Sequence, residues 1–231
     1  MTGSFVSPAT RQRVRDLATP IATALGRLGL TPNALTVIGF LGTCVAAFAA
    51  ANQSWLAAGV LVLVFGIFDL FDGTLARATG RATKLGAFLD SVFDRAGEAI
   101  VYIGIAAGCL AAGFDLGAVL AASAMAAAFM VSYTRAKAES LGFASGAGMA
   151  NVGLAPREVR IGILSAGLLL AAVLGGRVTE SMLSGGSVGG NPFVATSAGL
   201  ALGGSLALIM ILATLTTIQR TLHVRAQSME G

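Results

Sequence analysis

Four aspartates stand where an apolar chain has little use for them. One stretch reads Asp69-Leu70-Phe71-Asp72-Gly73-Thr74-Leu75-Ala76-Arg77, and after eight further residues the next reads Gly86-Ala87-Phe88-Leu89-Asp90-Ser91-Val92-Phe93-Asp94. Asp69 and Asp72 are three apart and Asp90 and Asp94 four apart, so on helices each pair shares a face. Carboxylates at the edge of apolar helices repel one another and lose hydration unless cations compensate them, which makes intramembrane acids functional candidates by default. Oxygen donors without histidine or cysteine favour a hard divalent ion, Mg2+ or Mn2+. Two facing pairs can hold two such ions, an arrangement that stabilises charge in phosphoryl transfer, and a carboxylate not committed to metal can act as general base. Gly73 and Gly86 take side chains away from the acids, so a phosphate or ribose can come close to the backbone. Arg77 adds a permanent cation suited to phosphate. Capping of the loop by Asp69 and Asp72, or pairing of Asp90 and Asp94 with Arg77, Arg81, Lys84 or Arg95, accounts for any one acid but not for four at this spacing. Glu98 extends the Gly86, Asp90, Asp94 stripe by a turn and reads as a support for the acids.

The elements that must position these residues are membrane helices. Of 231 residues, 55% are hydrophobic and 11% charged, against about 25% charged in soluble chains, and the mean hydropathy is +0.82. An ordinary soluble domain is excluded. Apolar runs at about 35–51, 55–71, 86–113, 116–133, 161–175 and 193–218 predict an all-α integral membrane protein with six transmembrane helices. Every lysine and arginine except Arg177 falls on one side of that topology, 14 of 15. The positive-inside rule then puts both termini, the loops 72–85 and 134–160, and the aspartates in the cytosol of a cytoplasmic-membrane protein. The net charge of +4 is thus a topology signal and no reason to expect nucleic acid. Within residues 8–30, Val14, Leu17, Ile21, Leu25 and Leu28 recur at helical steps beside Arg11, Arg13, Arg15 and Arg27, which predicts an N-terminal interfacial amphipathic helix with its apolar side in the lipid. The expected organisation is a juxtamembrane segment 1–31, a six-helix domain 32–220 and a cytosolic tail 221–231. Cys44, Cys109 and His223 offer no metal or disulfide framework.

The pattern D-x-x-D-G-x-x-A-R, eight residues, G-x-x-x-D-x-x-x-D resembles the signature of the CDP-alcohol phosphotransferases at every fixed position, and the stretch from Leu30 to Thr36 resembles that family's approach to its first span. The resemblance implies an enzyme in which an acceptor hydroxyl attacks the β-phosphorus of a CDP-linked lipid and releases CMP. It implies two divalent cations, with Asp69, Asp72 and Asp90 as metal ligands and Asp94 as general base sharing in metal binding. Gly73, Ala76, Arg77 and Gly86 are implied to contact the CDP part of the lipid. It also implies a homodimer, for which Gly104-x-x-x-Gly108 and Gly199-x-x-x-Gly203 offer close-contact faces.

The choice of acceptor is expected to lie in the second cytosolic loop, which brings Arg135, Lys137, Arg157 and Arg160 to the side of the aspartates. Such cations suit an acceptor that already carries a phosphate and disfavour choline or ethanolamine. The stretches 132–142 and 153–160 resemble those of phosphatidylinositol-phosphate synthases and their archaeal-lipid counterparts, which implies inositol 1-phosphate as acceptor and Arg135, Arg157 and Arg160 as its ligands. Pro156 and Val159 depart from that pattern. The runner-up is a phosphatidylglycerophosphate synthase using glycerol 3-phosphate. A small cation transporter, the non-enzymatic alternative, requires acids near the midplane of the spans. An intramembrane aspartyl protease requires one acid pair and gives no reason for the D-G-x-x-A-R segment.

Overall fold

The computed structural model describes residues 19–143, 152–183 and 197–230, the side chains of residues 176–183 and 230 excepted. Arg11, Arg13, Arg15, Val14, Leu17 and the side chain of Arg177 lie outside what is described. A helical stretch over residues 19–27, α1, is followed by α2 (Pro32–Ala51), α3 (Trp55–Ala78), α4 (Lys84–Ala111), α5 (Asp115–Ser140), α6 (Arg157–Leu183) and α7 (Ser197–Glu230). No strand occurs among the described residues.

Two of the helix starts are written in short sequence signals. Thr31 caps α2, its Oγ1 accepting from the amide of Ala34 at 3.2 Å, with Pro32 at the first helical position, where a missing N–H costs nothing. Thr83 does the same for α4, accepting from Gly86 N at 3.0 Å. These caps fix the chain on either side of the acids. The predicted loop 72–85 is shorter than expected, because α3 runs on through Asp72 and Gly73 to Ala78. The acids therefore stand on helices, and the link between α3 and α4 is only residues 79–83. The predicted tail is likewise helical as far as Glu230, since polar residues can continue a helix once it leaves the apolar phase.

The helices α2, α3, α5, α6 and α7 are long and apolar enough to cross a membrane. Helix α4, expected as a sixth span, differs. Its first half carries Lys84, Asp90, Asp94, Arg95 and Glu98, and the uncharged residues 99–111 reach only about 20 Å at 1.5 Å per residue, short of the roughly 30 Å hydrocarbon core. Phe48, Leu116 and Leu200 are among many large apolar side chains turned outward, a surface that suits lipid and would associate in water.

Packing follows chain order with crossovers: α2 lies on α3 and α4, α3 on α6, α4 on α5, and α7 on both α5 and α6. Small residues set the spacing between α2 and α4. A Cβ on Gly104 would lie 2.2 Å from the carbonyl oxygen of Ala47, and one on Gly108 would lie 2.1 Å from that of Ala50. Gly104 and Gly108, expected as a face between two copies, are thus used inside one chain. Gly199 is buried as well, and Gly203 faces Phe114 of the same chain. The Gly104→Val variant should be destabilised by about 1–3 kcal/mol or more, the usual cost of overpacking, read as a lowered melting temperature in detergent. In α1, Ala22 is buried with Leu35 and Leu75, and Leu25 packs against them. Part of the apolar side expected to face lipid therefore rests on α2 and α3 beside the acids, while Ile21 and Leu28 are exposed.

Candidate active site

The up-and-down alternation of α2 to α7 brings the start of α2, α4 and α6 and the end of α3, α5 and α7 to one end of the bundle. All four aspartates are there. Asp72 is buried, and its Oδ2 accepts from the hydroxyl of Thr36 at 2.7 Å. Gly39 of α2 leaves the room that Asp69 uses, since a Cβ there would lie 2.9 Å from Asp69 Oδ1. Asp90 is repelled chiefly by Asp72 and Asp69, and Asp94 by Asp69 and Asp90. The four acids thus form one electrostatic cluster.

Two cavities open on this cluster. The larger, about 570 Å³, is lined by Asp69, Asp90, Asp94, Arg135, Arg157 and Arg160, among others. The smaller, about 170 Å³, is lined by Asp72, Asp90, Gly73, Ala76, Arg77 and Gly86, with Asn33 and Thr36 of α2. The residues expected on the donor side and those expected on the acceptor side therefore line different cavities, and Asp90 lines both. A Cβ on Gly86 would come within 3.1 Å of Thr83 Oγ1, whereas one on Gly73 would only touch the guanidinium of Arg77, so Gly86 is the tighter of the two glycines lining the small cavity.

The basic residues are not equivalent. Arg157 bridges the two acid-bearing helices, with Nη2 2.7 Å from Asp69 Oδ2 and Nη1 3.2 Å from Asp94 Oδ1. Its Nε is buried without a hydrogen-bond partner. Arg160 is only 2% exposed. It holds Glu98 by two bonds of 2.8 Å from Nε and Nη2 and donates Nη1 to the carbonyl of Ala155 at 2.8 Å. This explains Glu98 as a buried counter-ion and leaves Arg160 with little to offer a ligand. Arg135 is half-exposed and donates to Glu139 at 2.8 Å. Lys137 does not line either cavity. Among the described residues no three acidic, histidine or cysteine side chains are gathered as they stand around one ion position, because Arg157 lies between Asp69 and Asp94 while Thr36 holds Asp72.

Sequence reasoning missed Thr36 as a partner of Asp72, and it missed Arg220, which lines the larger cavity. A signal existed for Arg220, since an arginine at the end of an apolar run is costly unless it is paired. It was read only as a marker of the cytosolic side.

The family model of the CDP-alcohol phosphatidyltransferases matches residues 29–219, the stretch that carries all four aspartates between the two cavities. The chain is a member of that family and a transferase enzyme of phospholipid biosynthesis. It is 38% identical over 174 residues to the archaetidylinositol phosphate synthase of Pyrococcus horikoshii, covering 75% of this chain and 88% of the relative. It is 40% identical over 144 residues to the phosphatidylinositol phosphate synthase of Cutibacterium acnes, covering 62% of this chain and 67% of the relative. The crystal structure of the Mycobacterium tuberculosis phosphatidylinositol phosphate synthase with manganese and citrate superposes with a TM-score of 0.69 at 25% identity, over 90% of this chain and 88% of that one. The same mycobacterial enzyme with CDP-DAG bound shares the fold, with a TM-score of 0.70 over 90% of this chain and 94% of that one at 24% identity.

Proposed function

We propose that this enzyme transfers a phosphatidyl-type group from a CDP-linked lipid to a hydroxyl of inositol 1-phosphate and releases CMP. The observation that carries this reading is the pair of cavities sharing Asp90, one lined by Gly73, Ala76, Arg77 and Gly86 and the other by Arg135 and Arg157. The names of the archaeal and bacterial relatives support the acceptor and leave both diacyl and ether-linked donors within the family's range.

The donor set fits divalent cations: four carboxylates in mutual repulsion, oxygen donors only, at the rim of both cavities. Asp69, Asp72 and Asp90, with a share from Asp94, would hold two ions, Mg2+ or Mn2+, which supply charge neutralisation at the pyrophosphate. The smaller cavity takes the CDP part, with Arg77 beside the phosphates and Gly73 and Gly86 leaving room at the backbone. The larger cavity takes the acceptor, with Arg135 and Arg157 on its phosphate. Asp94 accepts the proton of the attacking hydroxyl. A new bond forms from that oxygen to the β-phosphorus, the bond from the β-phosphorus to the bridging oxygen breaks, and CMP leaves with that oxygen. Arg160, locked to Glu98, supports the site from below.

In this reading residues 32–220 form the catalytic domain, a six-helix bundle in the cytoplasmic membrane in which α4 is held by its packing on α2 and α5 rather than by an apolar length of its own, with α1 at the interface and both termini and the active site cytosolic. The enzyme works as a homodimer, through a surface other than the internal glycine stripes. The test is CMP release from CDP-diacylglycerol by purified protein with inositol 1-phosphate, glycerol 3-phosphate, free inositol or serine. Release with inositol 1-phosphate and little with free inositol is the expected result. Release with glycerol 3-phosphate alone would move the enzyme to the phosphatidylglycerophosphate synthases.

A further inference from the structure

Residues 152–156 lead into α6 without regular structure, yet their backbone is held by side chains from elsewhere in the bundle. Thr216 of α7 is fully buried. Its Oγ1 accepts from the amides of Leu154 at 3.0 Å and Ala155 at 2.9 Å, and it donates to Leu212 O at 2.8 Å. Arg220, one turn further along α7 and 4% exposed, donates Nε to Val152 O at 3.0 Å and Nη1 to the carbonyl of Val131 on α5. From the other end, Arg160 donates to Ala155 O. Gly153 has φ +120°, and a Cβ there would meet Thr216 Cγ2 at 2.2 Å, so the segment is seated directly on Thr216 in a conformation that favours glycine. Arg157, two residues beyond Ala155, then enters α6 with its guanidinium on Asp69 and Asp94.

We propose that Thr216 and Arg220 of α7 are positioning residues for the acceptor side of the site: they clamp residues 152–156 and so fix where Arg157 stands. This rests on the reading that Arg157 meets a phosphorylated acceptor. Helix α7 contributes nothing to the aspartate motif, which is carried entirely by α3 and α4. The clamp therefore acts on the acceptor and leaves the CDP-lipid cavity alone, whose lining comes from residues 32–90. Buried amides need partners. When the hydroxyl is removed, the amides of Leu154 and Ala155 must turn elsewhere, and the segment moves with them.

The test uses the full-length protein in detergent with CDP-diacylglycerol and either inositol 1-phosphate or glycerol 3-phosphate. Thr216→Val keeps the shape and removes the hydroxyl. The expected result is a KM for the acceptor raised about tenfold or more, within the range that small misplacements produce, with the KM for the CDP-lipid unchanged and Thr216→Ser restoring the acceptor KM. Arg220→Lys, which keeps the charge and gives up the paired carbonyl contacts, should show the same split if the Val variant folds poorly. Hydrogen exchange provides a readout independent of any acceptor: the amides of Leu154 and Ala155 are slow in the native protein, fast in Thr216→Val and slow again in Thr216→Ser. Equal rises in both KM values, or unchanged exchange in Thr216→Val, would overturn the proposal. If the native protein releases CMP with none of the acceptors, the functional reading fails, and the exchange pattern still decides whether the clamp exists.

Discussion

Replacing Asp94 by asparagine will lower turnover by about 10²–10⁴-fold, the contribution of a positioned general base, while CDP-lipid and Mn2+ binding persist. Asparagine occupies the same space and keeps an oxygen toward Arg157, but it cannot accept the proton of the acceptor hydroxyl. Asp94 lines the larger cavity, proposed above for the acceptor, and does not line the smaller one. Loss of its charge therefore falls on the attacking group and spares the seat of the nucleotide. Asp69, Asp72 and Asp90, the proposed ligands, are untouched, so a Mn2+ titration followed by electron paramagnetic resonance should still saturate. The decisive measurement is CMP release in a single turnover with lipid and acceptor both saturating. An unchanged rate would remove the proton-accepting role from Asp94, and loss of Mn2+ binding along with the rate would make it a ligand first.

The aspartates were legible in the sequence because their chemistry is local. Spacings of three and four put each pair on one helix face, and a short link between two helices brings the faces together. Five of the expected spans were legible as apolar runs, whereas the threonine caps that start α2 and α4 emerged only with the structure. Less visible was whatever depends on helices distant in sequence. Nothing in the run of residues shows that Glu98 belongs to Arg160, 62 residues away, or that Thr216 holds residues 154 and 155. Arg157 and Arg160 share a helix face and were therefore read alike, yet packing puts one on the acid cluster and turns the other inward to a buried partner. The glycine stripes of α4 and α7 misled for a related reason. Small residues report close approach, and spacing alone does not say whether the neighbour is the same chain or another. The charged first half of α4 was the price of the site: a helix that carries the acids cannot also be a uniformly apolar span.

Arg157→Ala is expected to move two affinities in opposite directions. The guanidinium stands between Asp69 and Asp94, where it acts as the cation of the cluster before any ion arrives. Its removal leaves two partly buried carboxylates without their nearest positive charge, and that repulsion favours whatever divalent ion can replace it. Binding of Mn2+ to the free protein should therefore tighten. On the proposed acceptor role of Arg157, the acceptor should lose a charge-assisted contact to its phosphate, worth about 1.5–3 kcal/mol, or roughly a ten- to hundredfold rise in its KM. The KM for the CDP-lipid should change little, because Arg157 does not line the smaller cavity. Arg157→Lys keeps the charge but loses the two-point geometry, since an ammonium is a single point where the guanidinium is a fork. It should recover native Mn2+ affinity and only part of the acceptor affinity. A merely structural arginine would behave differently: both KM values would rise together, Mn2+ binding would weaken as the acid cluster spread apart, and lysine would rescue none of the three.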